Sequence, residues 1–141
     1  MQEIKYFCEV DQGDLHITVY KGDYSGPVIA TAIQSRDKGG VTKIKMTTSN
    51  QALHLKHGHN LLSNNTLFEI AGKRVHWKGQ SELVEDETGI CLAVYKAKRF
   101  ESQNRKLGTL LVTAHGVQHV DIIVSSALVK QERTEEDEYE V

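Results

Sequence analysis

Up to about residue 113 the chain alternates apolar and polar side chains with period two, the mark of half-buried strands. In the first hairpin, residues 4–10 and 14–21, Tyr6, Cys8 and Val10 alternate with Lys5, Phe7 and Glu9. Asp11-Gln12-Gly13-Asp14 turns the chain, and Leu15, Ile17 and Val19 alternate with His16, Thr18 and Tyr20. A glycine-rich turn, Lys21 to Pro27, precedes a third strand, Val28 to Ile33, apolar on both faces apart from Thr31. In 41–48, Ile44 and Met46 face one way and Lys43, Lys45 and Thr47 the other; Leu53 and Leu55 continue in a short strand through His57. Residues 67–71 and 73–78 form a hairpin turning at Ala71-Gly72-Lys73, with Val75 and Trp77 on one face. Strands follow at 81–85, 90–95 and 107–113. Trp77, Ile90, Leu92, Val94 and Leu110 are the expected core residues among them.

The segment 120–129 breaks this rhythm. Seven of its ten residues are apolar and they form no single stripe: on a helix, Val120, Val124, Ala127 and Leu128 share a face with Val117 just before them, while Ile122, Ile123 and Val129 cover the others. On pattern alone a buried helix and a last β-strand are equally supported, because Val and Ile favour strands. About ten short strands ahead of it decide for the helix: a sheet rolled around an all-round apolar helix buries both and removes the sheet edges. The segment is short of the roughly 20 apolar residues needed to span a bilayer. The expected fold is therefore mainly β, an antiparallel β-barrel of about 10–12 strands enclosing a hydrophobic C-terminal α-helix. Residues 1–133 form one domain with the central helix at about 117–132, and 134–141 an acidic flexible tail.

Composition adds two constraints. The 141 residues carry a net charge of −2, which gives no global reason to expect nucleic acid. The charge is uneven: residues 131–141 hold six acidic side chains and one basic, leaving 1–130 at +3. Cys8 and Cys91 lie far apart within apolar strand patterns and are expected as buried thiols rather than a disulfide framework. No signal-peptide pattern opens the chain, so a reducing, cytoplasmic location is expected, with peripheral membrane association as a variant.

Several stretches resemble the fungal tubby C-terminal-like domain family: Phe68-Glu69-Ile70-Ala71-Gly72-Lys73-Arg74-Val75-His76-Trp77-Lys78-Gly79, then Glu82 to Asp86, Gly89-Ile90-Cys91-Leu92-Ala93-Val94-Tyr95, Leu107-Gly108-Thr109-Leu110 and Val120-Asp121-Ile122-Ile123-Val124. The resemblance covers about residues 40–130. It implies a barrel of about twelve strands around a hydrophobic C-terminal helix, a fold similar to that of tubby proteins, plant LURP-one-related proteins and phospholipid scramblases. Tubby proteins bind phosphoinositide headgroups, but the motif that does so does not align with this chain. The resemblance therefore implies the fold and no site residues.

Candidate chemistry is sparse. His54, His57 and His59 are the densest histidine group, yet on a strand His54 and His57 point to opposite faces. His115 and His119 are spaced to meet on one helical face. Neither group supplies a convincing metal site, and no cofactor is expected. There is no G-x-S-x-G elbow, no P-loop and no local serine–histidine pair, so no catalytic residue is assigned and an enzyme is not expected. Basic residues are the remaining signal. Lys96, Lys98, Arg99, Arg105 and Lys106 cluster around Phe100 in the 96–106 connection, and Lys73, Arg74 and Lys78 lie in the hairpin before it. The five residues of the connection are the candidate contacts for acidic lipid headgroups. The expected function is a non-enzymatic binding module for phosphoinositide or other acidic lipids. The alternative is a protein-interaction or structural domain without a small ligand.

Overall fold

The structure is a computed structural model that describes residues 4–11, 16–22, 26–33, 40–57, 66–78, 82–97 and 108–139. Among the described residues ten strands are present: β1 (Tyr6–Asp11), β2 (His16–Lys21), β3 (Val28–Ile33), β4 (Val41–Met46), β5 (Ala52–His57), β6 (Thr66–Ile70), β7 (Lys73–Lys78), β8 (Glu82–Glu85), β9 (Cys91–Ala97) and β10 (Gly108–Val112). Each pairs antiparallel with the next, so the sheet runs in chain order from β1 to β10. Among the described residues, short turns at 47–51, 71–72 and 86–90 join β4 to β5, β6 to β7 and β8 to β9. Between β6 and β7, Ala71 and Gly72 both take positive φ (52° and 80°), as a tight hairpin matched to the twist of its strands requires.

One helix, α1 (Val120–Tyr139), follows a 3-10 turn at Val117–His119. The helix expected at about 117–132 thus starts three residues later and continues through the acidic stretch to Tyr139, where a flexible tail from 134 was expected. Eight consecutive residues, Ile123 to Lys130, are buried. Eight residues exceed two turns, so this stretch of the helix is covered on every side. It packs against β3, β4 and β9, and side chains from β1, β2 and β7 reach it as well. The sheet therefore curls around the helix, and its inward side chains form one core with Ile123, Val124, Leu128 and Val129. No helix among the described residues is long and apolar enough to cross a membrane.

Among the described residues the sheet is not closed. β10 pairs with β9 and β1 with β2, and they do not pair with each other. After Val112 one more residue follows the ladder against β9: the Thr113 amide donates to Leu92 O at 3.0 Å and its hydroxyl to Cys91 O at 2.9 Å. The chain then enters the helix instead of extending along an edge. The expected barrel closure is accordingly absent among the described residues.

Two bulges shift the in–out phase. Between β2 and β3 the register moves from Val19↔Ala30 to Tyr20↔Val28, so both Ile29 and Ala30 are buried. Between β8 and β9 it moves from Leu83↔Ala93 to Val84↔Cys91, and Leu92 and Ala93 are both buried. An extra residue on one strand permits this. Val94, expected in the core, consequently faces outward beside Leu111. Trp77 and Leu92 are buried as expected, whereas Ile90 and Leu110 are half-buried at the core's margin. Cys8 and Cys91 are half-buried and not joined in a disulfide.

Candidate functional site

Strand alternation buries Thr42, Ile44 and Met46 of β4 and Leu53 and Leu55 of β5, which turns Val41, Lys43, Lys45, Ala52, His54 and Lys56 outward, all exposed. The register sets these residues side by side. Ile33 of β3 is opposite Lys43, which is opposite His54; His16 of β2 extends that row. Val41 is opposite Lys56, which is opposite Leu67 of β6. Thr31, Lys45 and Ala52 make a third row. The result is a patch with three lysines, two histidines and three well-exposed aliphatic side chains: Ile33, Val41 and Leu67.

No carboxylate projects from β3, β4 or β5, and among the described residues none forms an ion pair with Lys43, Lys45 or Lys56. The nearest carboxylates are Asp11, opposite His16, and Glu69, exposed on β6 two residues from Leu67 on the same face and opposite Arg74. Exposed cations interleaved with exposed aliphatic groups match an anionic surface that has an apolar layer beneath it.

Comparison of the chain with protein-family models, curated proteins and solved structures finds no match. The site's meaning therefore rests on its own geometry.

Of the residues singled out in the sequence, Lys96 is exposed on β9, opposite Thr109. Three strands separate β9 from β5. At about 4.8 Å per strand step that is roughly 19 Å along the sheet, beyond the screening length of about 8 Å. Lys96 is therefore not part of the patch. Lys98, Arg99, Arg105 and Lys106, with Phe100, lie outside the described residues. Lys73, Arg74 and Lys78 are exposed, and Lys73 lies 3.9 Å from Glu85. The lysines of β4 and β5 were legible individually as outward positions. What would have joined them is alignment of the two strands about the turn Thr47–Asn50.

His59 lies outside the described residues. His115 sits in the turn before the 3-10 segment and His119 at its end, not one turn apart on a helix. Among the described residues no three His, Cys, Asp or Glu side chains gather as a metal would need.

The start of the helix carries a second polar cluster. Tyr6 donates to Asp121 Oδ1 at 2.8 Å, and Lys21 Nζ lies 3.2 Å from the same oxygen and 5.9 Å from the Tyr6 ring centre. Burial, then the bond to the Asp121 carboxylate and its negative charge, hold the Tyr6 hydroxyl far above the ordinary tyrosine range. A shallow cleft of about 390 Å³ adjoins this cluster, bounded by Lys21, Met46, Ser49, Gln51, Gln118 and Ile122. Its charged groups already satisfy one another. The cluster is a latch that ties the first helical turn to β1 and β2.

Proposed function

We propose that this chain is a non-enzymatic binding module that docks on anionic lipid surfaces through the outer face of β3–β5. The observation that carries the reading is the juxtaposition of Lys43, Lys45 and Lys56 with exposed Ile33, Val41 and Leu67 on a face to which those strands contribute no carboxylate. The ten-stranded sheet curled around an apolar C-terminal helix supports a tubby-like domain, in which a barrel-type sheet presents its outer surface for binding. Acidic phospholipid headgroups, phosphoinositides included, are the ligand class. The basic connection at Lys96, Lys98, Arg99, Arg105 and Lys106 is a second contact region. A cytoplasmic protein that associates peripherally with membranes fits this role.

The test is co-sedimentation with vesicles containing phosphatidylserine and a phosphoinositide, against neutral vesicles. Each lysine near an acidic surface contributes about 1 kcal/mol, so Lys43→Ala, Lys45→Ala and Lys56→Ala together should weaken binding roughly a hundredfold. Raising salt should erode the wild-type binding. If the triple variant binds like wild type while Lys98→Ala, Arg99→Ala, Arg105→Ala and Lys106→Ala together abolish binding, the contact is the connection and not the sheet face. Absence of wild-type binding at low salt would leave the rival reading, a protein-interaction domain using the same three aliphatic side chains.

A further inference from the structure

Among the described residues β10 is an edge of the sheet, and its own sequence lacks the usual protections. Natural edge strands are blunted by lysine, proline or inward charge. Gly108-Thr109-Leu110-Leu111-Val112 has none of these. Leu111 is 53 % exposed on the outer face, and the inward-facing Leu110 and Val112 are only half-buried. Their inward counterparts on the interior strands, such as Ile44, Leu55 and Trp77, are almost wholly buried. The apolar inner layer therefore stays partly uncovered along this edge.

The register fixes which backbone groups face outward. Val112 is opposite Ala93, and the next pair, Thr113 and Leu92, is hydrogen-bonded, with the Thr113 amide donating to Leu92 O. Hydrogen-bonded and non-bonded pairs alternate in an antiparallel ladder. Leu111 and Thr109 therefore bond to β9, and the N–H and C=O groups of Gly108, Leu110 and Val112 point away from it. These are the groups that a further strand would pair with.

The geometry points to a second copy of this chain as that strand, with β10 pairing antiparallel to β10 about a two-fold axis at Leu110. The sequence is self-complementary in this register. Leu110 meets its own counterpart as a hydrogen-bonded pair, Thr109 lies opposite the partner's Leu111, and Gly108 lies opposite the partner's Val112. No like charges meet, because the strand carries no charge. On the outer face one row would read Lys96, Thr109, then the partner's Leu111 and the partner's Val94, which places the exposed Leu111 against a neighbour. Leu110 and Val112 gain cover from their counterparts. A five-residue edge is a small interface, so the dimer is weak and reversible. It uses a different part of the sheet from the cationic face.

Sedimentation velocity of the full chain over roughly micromolar to millimolar concentration tests this, the range in which weak contacts populate. A monomer–dimer equilibrium is expected. Thr109→Glu with Leu111→Glu places carboxylates opposite one another twice across the axis, and should weaken dimerisation at least tenfold. Both positions are surface-facing, and far-UV circular dichroism should show an unchanged fold. Thr109→Glu with Leu111→Lys puts opposite charges at the same two contacts and should restore the dimer, which a non-specific surface effect would not do. Three results would each overturn the proposal: a wild-type chain that stays monomeric throughout, a double-Glu variant that dimerises as well as wild type, or assemblies that grow past the dimer. The last would indicate a head-to-tail contact. If the double-Glu variant loses its fold, Leu111→Glu alone is the substitute: it replaces the apolar side chain at both contacts with a charge facing the partner's Thr109, and should still weaken dimerisation.

Discussion

Two adjacent serines on α1 should respond in opposite directions to loss of the same atom. Ser126 Oγ accepts from Trp77 Nε1 at 3.0 Å and donates to Ile123 O at 2.8 Å. Trp77 is fully buried, so Ser126→Ala leaves its indole N–H without an acceptor where water does not reach. An unsatisfied buried donor costs about 1–3 kcal/mol, and the gain in helix propensity returns only a few tenths. Ser125 Oγ is equally buried and, among the described residues, has no hydrogen-bond partner. Ser125→Ala therefore removes a stranded hydroxyl, whose burial costs roughly 1–3 kcal/mol on protein scales. The expected outcome is destabilisation by about 1–2 kcal/mol for Ser126→Ala and stabilisation by about 0.5–2 kcal/mol for Ser125→Ala. Urea denaturation followed by fluorescence suits the question, because the single tryptophan in the sequence is the residue that bonds Ser126. With a slope of about 1–3 kcal/mol per molar urea, the two midpoints should separate by roughly 1 M. Coincident midpoints would refute the hydrogen-bond assignment and with it the seating of α1 against β7.

Ile123 is wholly buried on the helix and Val117 is 59 % exposed just before it. Ile123→Ala should cost about 2–5 kcal/mol and Val117→Ala less than about 0.5 kcal/mol, read from the same urea curves. A chain ending at His119 should show no cooperative thermal transition. Lys130 is buried with its Nζ 5.8 Å from the Trp77 ring centre, and burial pulls its ammonium down to about 8. Between about pH 8 and 10.5 the unfolded chain then binds a proton that the folded chain lacks, so stability should rise with pH across that window. Tyr6, whose proton the fold retains, opposes this only above about pH 10. Unfolding free energies at about pH 7.5 and 9.5 should therefore differ in the wild type and converge in Lys130→Met. An unchanged slope in that variant would assign the titration to another group.

Local chemistry made much of this fold legible. Period-two alternation and turn residues gave ten strands because one face of each is buried and the other is wet, and a side chain's preference for either is local. The helix was legible for a related reason: apolar groups on every side of 120–129 need cover on every side. Closure was not legible, since pairing between β1 and β10 depends on where the chain goes after Val112, and alternation contains nothing about that. Val94 was placed on the wrong face because a bulge at Leu92 resets the phase, and a single inserted residue looks the same as continued strand in the sequence. The Tyr6–Asp121–Lys21 latch joins Asp121 to residues 115 and 100 positions away; Asp121 had an adequate local reason to be there in the helix dipole. The lysines of β4 and β5 looked like ordinary solvated positions until the register put them in adjacent rows.

The position of the helix also determines how the proposals can be tested separately. Because α1 fills the concave side of the sheet, Lys43, Lys45 and Lys56 support nothing in the core, and neither do Thr109 and Leu111. Surface substitutions away from packed or capped positions usually shift stability by less than about 0.5 kcal/mol. A loss of vesicle binding or of dimerisation in those variants therefore reports on the surface itself and not on a damaged fold. Ile123, Ser126 and Trp77 behave in the opposite way: their variants should lower stability first and affect either surface only through the unfolded fraction. If Lys43→Ala lowered the melting temperature as much as Ile123→Ala did, the outer face would be packed against something, and the division into an inner scaffold and an outer binding surface would be wrong.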